Sequence, residues 1–266
     1  MHFRTSTGRT FYAIALIIYG VQQFVFGDFR PVFVPAWQNH LPGLSIWAYI
    51  FGLLMIVTAI LILTEKYART ISAMFGVLLL VLFFFIHIPF ELIADPDSKH
   101  LAMWTSAFKD LAIAGGAFVV AGSFLATEMK YSSATASWGE KIIPAGRIFF
   151  SITMITFGIT HLLYGEFVMK LVPEWIPAPL FWTYFAAVAL IGSGMAIILK
   201  IKVREVASLL SLMLFIWFVI LHLPRAIDDP LGQRGNEFAS SFDALAFCGT
   251  ALLISATGSS KSKLTL

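Results

Sequence analysis

The chain has a single cysteine, Cys248, and few charged residues. Lysine and arginine number 18 and aspartate and glutamate 15 among 266 residues. The charged share of 12% is about half of that in an ordinary soluble domain. One cysteine cannot form an internal disulfide and there is no Cys-x-x-Cys motif, which excludes two-cysteine thiol–disulfide exchange within the chain. The basic residues do not cluster on one element, so we do not predict nucleic acid as a partner.

Apolar residues make up 59% of the chain, and its 26 phenylalanines outnumber all its acidic residues. Apolar runs of about 18 to 22 residues recur, and each is long enough to cross a bilayer as a helix. Strict alternation of apolar and polar residues is missing, which argues against a membrane β-barrel. The first apolar run follows Arg4 and Arg9 but lacks a small-x-small cleavage pattern, so we interpret it as a span and not as a signal peptide.

The sequence contains two copies of one unit. Equivalent residues lie 138 positions apart at the start of the unit, then 135, then 134, and they include Gly8 and Gly146, Trp47 and Trp182, His87 and His222, Pro89 and Pro224, and Gly115 and Gly249. Self-similarity of this kind decides the architecture before any local detail does. The first copy predicts helices over about 10–27, 45–64, 70–90 and 103–125. The second predicts them over about 147–165, 180–200, 204–224 and 237–256.

These patterns predict an all-α membrane protein with eight transmembrane helices. Each copy has an even number of spans, so we expect two parallel, pseudo-symmetric four-helix bundle repeats. The predicted repeats cover residues 8–126 and 146–257, with a linker over 127–145 and a tail over 258–266.

The basic residues predict the orientation of the chain. Twelve of the 18 lysines and arginines fall on the side of the two termini, which predicts cytoplasmic termini, linker and tail in a multi-pass protein of the inner (plasma) membrane. The loops Pro35-Ala36-Trp37 and Pro173-Glu174-Trp175 would then lie outside, with their indoles in the headgroup layer.

Polar residues recur near the predicted outer ends of the helices. The third helix of each copy carries a His-x-Pro sequence. We expect the proline to end or kink that helix and to leave the carbonyl one turn earlier without a hydrogen-bond donor. We predict a polar ring that forms a ligand pocket from Gln23, His87, Glu91 and Asp110 in one copy and His161, His222, Arg225 and Asp243 in the other. Ionisable residues at membrane depth are functional by default. The structural alternative is that the histidines bind the carbonyls and that the helix dipoles stabilise the aspartates.

Three functions suit such a ring. A quinone needs a hydrogen-bond donor at its carbonyl, quinol oxidation needs a proton acceptor, and histidine with a nearby carboxylate provides both. Imidazoles from facing helices could instead bind haem, but no His-x-x-x-His spacing supports this, and we predict no metal ligands. The third function is that of a carrier with its site between the repeats.

The chain resembles the DoxX-like family of four-helix membrane proteins, present here as a tandem pair over about 8–126 and 146–257. The resemblance rests on Tyr19-Gly20 and Phe157-Gly158, on the Pro/Trp loops, on the tight hairpin between the second and third helices, and on the glycine-bearing last helix. It implies an association with membrane redox work, since one relative is a subunit of a thiosulfate:quinone oxidoreductase. No catalytic motif of the family transfers to His87 or His222.

We therefore predict that the protein binds a quinone-like molecule near the outer face, in contact with membrane lipid and together with a redox partner subunit. The alternatives are a carrier for a small lipophilic solute, a non-catalytic membrane subunit and a haem-binding bundle. The sequence does not predict whether the protein is an enzyme.

Overall fold

A computed structural model describes residues 2–35, 43–94, 97, 99–124 and 141–257. Throughout these ranges the regular structure is helical. The helices are α1 (His2–Phe26), α2 (Leu44–Leu63), α3 (Ala68–Leu82), α4 (Thr105–Gly122), α5 (Gly146–Leu163), α6 (Gly165–Val168), α7 (Pro179–Ile198), α8 (Val203–Trp217), α9 (Leu223–Asp228) and α10 (Asn236–Thr257). We call residues 2–124 the first half and residues 141–257 the second half.

Among the described residues, seven stretches are long and apolar enough to cross a membrane: Phe3–Phe26, Leu44–Leu63, Ala68–Ala94, Ile143–Leu163, Pro179–Ile198, Val203–Asp228 and Asn236–Thr257. Large apolar side chains such as Phe85, Val188 and Leu209 are exposed on the outside of these helices. An exposed apolar surface of this kind is what lipid contact requires. The predicted all-helical class is confirmed for the described residues, and the apolar stretches indicate a multi-pass membrane protein.

The remaining long helix, α4, is not among the seven. It carries Lys109 and Asp110 in its second turn and two glycines, Gly115 and Gly116, farther along. Almost the whole of α4 is buried between other helices, as is its counterpart α10, the most buried of the seven spans. The burial of α4 explains how it tolerates a lower apolar content than the lipid-facing helices.

The long helices form a ring in which each packs on the next: α1, α2, α3, α4, α5, α7, α8 and α10, with α10 returning to α1. A further contact between α4 and α10 runs through the centre of the ring. The first helix of each half therefore packs on the last helix of the other half. The halves interlock and share one main hydrophobic core.

The central helices α4 and α10 run parallel. Near one end, Lys109 lies 2.7 Å from Asp243, and seven residues farther along both helices a Cβ on Gly116 would lie 2.6 Å from Thr250 Oγ1. In both contacts the two partners are 134 positions apart in the sequence, so they are equivalent residues of the two copies. Each central helix thus meets its own counterpart in register.

Glycines allow the two halves to approach closely. A Cβ on Gly249 would lie 2.6 Å from the carbonyl oxygen of Gly8, and a Cβ on Gly115 would lie 2.6 Å from that of Gly146. A side chain at either position would push the helices apart. The contact between α1 and α10 thus has the same form as the contact between α5 and α4.

The expectation that the prolines end the third helix of each half was wrong. The helices continue past Pro89 to Ala94 and past Pro224 to Asp228. Each contains a π turn just before the proline, Phe83–His87 and Phe218–His222. In a π turn the backbone hydrogen bond spans five residues instead of four. His87 and His222 consequently lie inside these helices and not in their last turns.

The predicted short hairpins between the second and third helices are present in both halves. Glu65 and Tyr67 in one, and Lys200 and Lys202 in the other, take positive φ values of 57°, 51°, 59° and 41°. Non-glycine residues adopt this conformation rarely. Its recurrence at equivalent positions indicates that the two connections have the same backbone path.

Several predictions concern parts of the chain outside the described residues. They are the indole of Trp37 and most of its loop, residues 127–140 of the linker, and the tail at 258–266. Trp175, in the equivalent loop of the second half, is exposed.

Candidate functional site

A buried ion pair joins the two central helices at the end of the bundle opposite the N-terminus. Lys109 Nζ on α4 lies 2.7 Å from Asp243 Oδ2 on α10. The hydroxyl of Tyr19 on α1 donates a hydrogen bond to the other carboxylate oxygen, and Lys109 also donates to Ser240 Oγ at 3.0 Å. Three helices therefore contribute to one hydrogen-bonded charge cluster, which we call the central cluster: Tyr19, Lys109, Ser240 and Asp243.

His222 lies beside the central cluster. It is close enough to Lys109, Arg225 and His161 for their charges to act on its ring. His222 and His161 are both half-buried, and His161 Nδ1 lies 2.7 Å from the carbonyl oxygen of Phe157 in its own helix. Of the eight predicted site residues, the structure brings His161, His222, Arg225 and Asp243 together.

The backbone and charges around His222 are satisfied from α10. Ser241 Oγ donates to the carbonyl oxygen of His222 at 2.8 Å, and Arg225 Nη2 lies 3.1 Å from Glu237 Oε2. These contacts hold the π turn and the helix after it against α10. The backbone that carries His222 is thereby held next to α10.

The residues predicted from the first half lie in a different environment. His87 is fully buried, and its Nε2 lies 3.2 Å from the carbonyl oxygen of Val32. Gln23 is also fully buried, with Nε2 3.6 Å from Met55 Sδ. Among the described residues, no hydrogen bond or ion pair joins His87 to His222. The shared pocket for the two histidines stays a prediction.

Two further predicted residues of the first half are buried acids. Neither carboxylate oxygen of Asp110 has a hydrogen-bond partner in the described parts of the chain. Glu91 is 2% exposed and lies in a second π segment, Phe90–Ala94. A buried carboxylate without a donor is costly, so Asp110 belongs to an incompletely satisfied polar interior.

The interiors of the two halves are filled differently. In the first half Phe33 contacts Tyr19 and Phe51 with ring centroids 5.2 and 5.5 Å apart, and Phe51 contacts Phe75 at 6.3 Å. The equivalent residues in the second half are Leu171, Phe157, Ala186 and Leu210. Leu171 and Phe157 are half-buried, whereas Phe33 and Tyr19 are fully buried. At these positions the second half therefore carries smaller or more exposed side chains.

A small apolar cluster lies beside His222 in the second half. It consists of Val172, Ile176 and Leu221, which are buried, and Trp182 and Trp217 pack against it. The two indole rings meet edge to face at 6.3 Å. Aromatic rings next to half-buried imidazoles provide both an apolar surface and hydrogen-bonding groups.

Loops at the same end of the bundle tie the two halves together. Arg30 donates to the carbonyl oxygen of Arg234, Arg234 lies 3.1 Å from Asp28, and Gln22 donates to the carbonyl oxygen of Gly235 at 2.9 Å. Burial lowers the pKa of the Arg30 guanidinium from its usual value, and the charge of Arg234 acts in the same direction, whereas Asp28 raises it. Arg30 stays charged nonetheless and links the loops of the two halves through its hydrogen bond to Arg234.

Sequence reasoning missed Lys109, Tyr19 and Glu237 as members of the site. For Lys109 the sequence held an indication, because the alignment of the copies places it opposite Asp243, 134 positions later. Opposite charges at equivalent positions of two central helices are what a pair across a symmetry axis requires.

Cys248 is a packing residue. It is 2% exposed, and its Sγ lies 3.3 Å from the carbonyl oxygen of Ser211. In the described ranges no group of three histidine, cysteine, aspartate or glutamate side chains could hold a metal ion.

Comparison with known proteins gives one match. A family model described as a domain of unknown function (DUF8561) matches residues 150–242, which run from α5 into α10 and make up less than half of the chain. No curated protein and no solved structure matches the chain.

Proposed function

We propose that the chain is an eight-span protein of the inner membrane, built from two parallel DoxX-like repeats, that binds a quinone-like molecule at its outer end. The observation that carries the proposal is the position of half-buried His161 and His222 beside the Tyr19–Asp243–Lys109 network. Hydrogen-bonding groups from both halves meet there next to an apolar, aromatic surface. A lipophilic molecule with a polar carbonyl fits this combination.

Four features support the repeat architecture. They are the parallel contact of α4 with α10 through equivalent residues, the matching glycine contacts, the matching left-handed hairpins and the matching π turns. With the Lys/Arg distribution of the sequence, they support cytoplasmic termini and an outer position for the central cluster. α4 would then be the eighth span, its Lys109 neutralised by Asp243.

We assign the ligand to the second half. Its histidines are half-buried whereas His87 is fully buried, and smaller side chains replace the rings of the first half. The His222 imidazole would donate to or accept a proton from a quinone oxygen, and Trp182 and Trp217 would pack near the ring. On quinol oxidation the protons would pass to the histidines, and the electrons to a partner subunit.

The test is a titration of the purified full chain with decylubiquinone, followed by tryptophan fluorescence. We expect saturable quenching of the wild type and at least about a tenfold loss of affinity for His222→Ala, which removes one strong hydrogen bond. His87→Ala is the matched control, because its ring lies in the other half, and it should keep wild-type affinity.

Either of two results would overturn the assignment. One is no saturable quenching by the wild type. The other is equal affinity of the wild type and a folded His222→Ala variant. A loss confined to His87→Ala would move the ligand to the first half and contradict the assignment to the second.

A further inference from the structure

A cavity of about 230 Å³ lies at the end of the bundle that carries the N-terminus. It is bounded by the starts of α5 and α8 and the ends of α4 and α10. Most of its lining is apolar, including Phe118, Pro144, Val203 and Ile254, and Thr257 and the cation Arg147 complete it. The cavity is distant from the central cluster, which lies at the opposite end.

We call the part of the bundle around this cavity a corner. The first half has the equivalent corner, and there side-chain contacts close it. Arg9, the counterpart of Arg147, lies 2.7 Å from Glu65 Oε1 and donates to Ser123 Oγ at 2.9 Å. Its guanidinium also lies 3.5 Å from the ring centroid of Phe124. Carboxylate, hydroxyl and ring together hold the Arg9 side chain in the corner.

The second corner lacks the acidic partner. The counterpart of Glu65 is Lys200, which has the same left-handed backbone conformation, with φ values of 57° and 59°. Within the described ranges Arg147 forms no ion pair, Glu205 in the first turn of α8 included. The acid that neutralises the first corner is thus replaced by a base in the second.

A second cation is also available at this corner. Arg69 is buried and donates to the carbonyl oxygens of Ala121 and Phe124 at 3.0 and 2.8 Å, which fixes it at the end of α4. Its counterpart Arg204 is exposed. The cavity is therefore mostly apolar inside with the cation Arg147 in its lining, and the exposed Arg204 directly follows the lining residue Val203.

We propose that this cavity binds the phosphate group of an anionic phospholipid, with Arg147 as the principal contact. Basic pockets between membrane helices bind anionic headgroups on the cytoplasmic side, which is the side that the basic residues predict for this end. The apolar lining suits the glycerol and upper acyl chain, and an arginine suits the phosphate oxygens. The proposal is independent of the quinone site.

The test is native mass spectrometry of the full chain titrated with phosphatidylglycerol and, separately, phosphatidylcholine. We expect the wild type to prefer phosphatidylglycerol, and Arg147→Gln to lose about tenfold in affinity for it, because a charge-assisted hydrogen bond is removed. Arg147→Lys should keep most of the preference. Arg9→Gln is the matched control and should keep all of it, since Arg9 is already paired.

A second variant, Lys200→Glu, restores the acid of the first half. Its carboxylate should pair with Arg147 and reduce the preference for phosphatidylglycerol to the level of Arg147→Gln, while the melting temperature stays at or above that of the wild type. Equal preference in the wild type, Arg147→Gln and Lys200→Glu would overturn the proposal. Displacement of phosphatidylglycerol by millimolar inorganic phosphate would show a soluble anion to be the ligand, and would overturn the assignment to lipid.

Discussion

Lys109 and Asp243 hold equivalent positions in the two halves and bind one another, with 2.7 Å between Nζ and Oδ2. One copy supplies the base and the other supplies the acid at the point where the central helices meet. Identical residues there would place like charges together. The pair thus requires the two copies to differ, and it gives the duplicated bundle a built-in asymmetry.

Loss of one partner of this pair should be costly. Among the described residues, Lys109→Met leaves the Asp243 carboxylate with the Tyr19 hydroxyl as its remaining hydrogen-bond donor, and we expect a loss of about 3 kcal/mol in unfolding free energy. The double variant Lys109→Met/Asp243→Leu should lose less than Lys109→Met alone. Denaturation in detergent measures both. Arg225→Met, whose ion pair with Glu237 is half-exposed, serves as the control and should lose less than about 1 kcal/mol. Additive losses in the double variant would contradict the coupling.

The close contacts between halves predict a sharp difference between glycines. Gly146→Ala places a Cβ 2.6 Å from the Gly115 carbonyl oxygen and should cost about 1–3 kcal/mol through overpacking. Gly192→Ala is the matched control, because a Cβ there meets nothing within 4 Å. It should be neutral or stabilise α7 by about 0.5–1 kcal/mol. Equal melting temperatures for the two variants would rule out the tight α4–α5 contact.

The difference in side-chain burial between the two halves can be tested with a pair of equivalent residues. Phe33→Ala removes a fully buried ring that contacts Tyr19 and Phe51 and should cost about 3–5 kcal/mol. Leu171→Ala, at the equivalent half-buried position, should cost well under half as much. Thermal melting of both variants in the same detergent makes the comparison. A larger loss of stability for Leu171→Ala than for Phe33→Ala would contradict the lower burial of this position in the second half.

The predicted orientation can be tested by labelling of intact cells with a membrane-impermeant maleimide. Cys248→Ala gives a background without cysteine, and Ser6→Cys and Trp175→Cys each add one exposed residue at opposite ends of the bundle. We expect Trp175→Cys to react from outside and Ser6→Cys to react only after the membrane is permeabilised. The reverse pattern would place the termini outside.

The sequence predicted the helices well, because apolar runs of bilayer length leave little freedom for anything else. Six of the seven spans found among the described residues lie within about four residues of their predicted bounds, and the first begins seven residues earlier than predicted, at Phe3. The continuation of two helices past Pro89 and Pro224 was not predictable from the proline rule alone. A π turn before the proline accommodates the missing donor, and the formation of that turn depends on tertiary contacts such as the one between Ser241 and the His222 carbonyl.

The site was predicted only in part, for a physical reason. Alignment of the copies shows which residues are equivalent but not whether α1 packs on the last helix of its own copy or of the other. The contact between Tyr19 and Asp243 depends on that choice. The polar ring predicted from the helix ends therefore did not include Tyr19, and the shared pocket of His87 and His222 stays a prediction.

The packing of α1 on α10 also bears on how the protein is made. Synthesis delivers α1 before α10, so α1 is made well before its partner residue Gly249. During translation α1 must be held by lipid or by the insertion machinery until the ring can close. Ribosomes that stop before Asn236 would release a chain with the α10-binding surface of α1 uncovered, a natural target for membrane quality-control proteases.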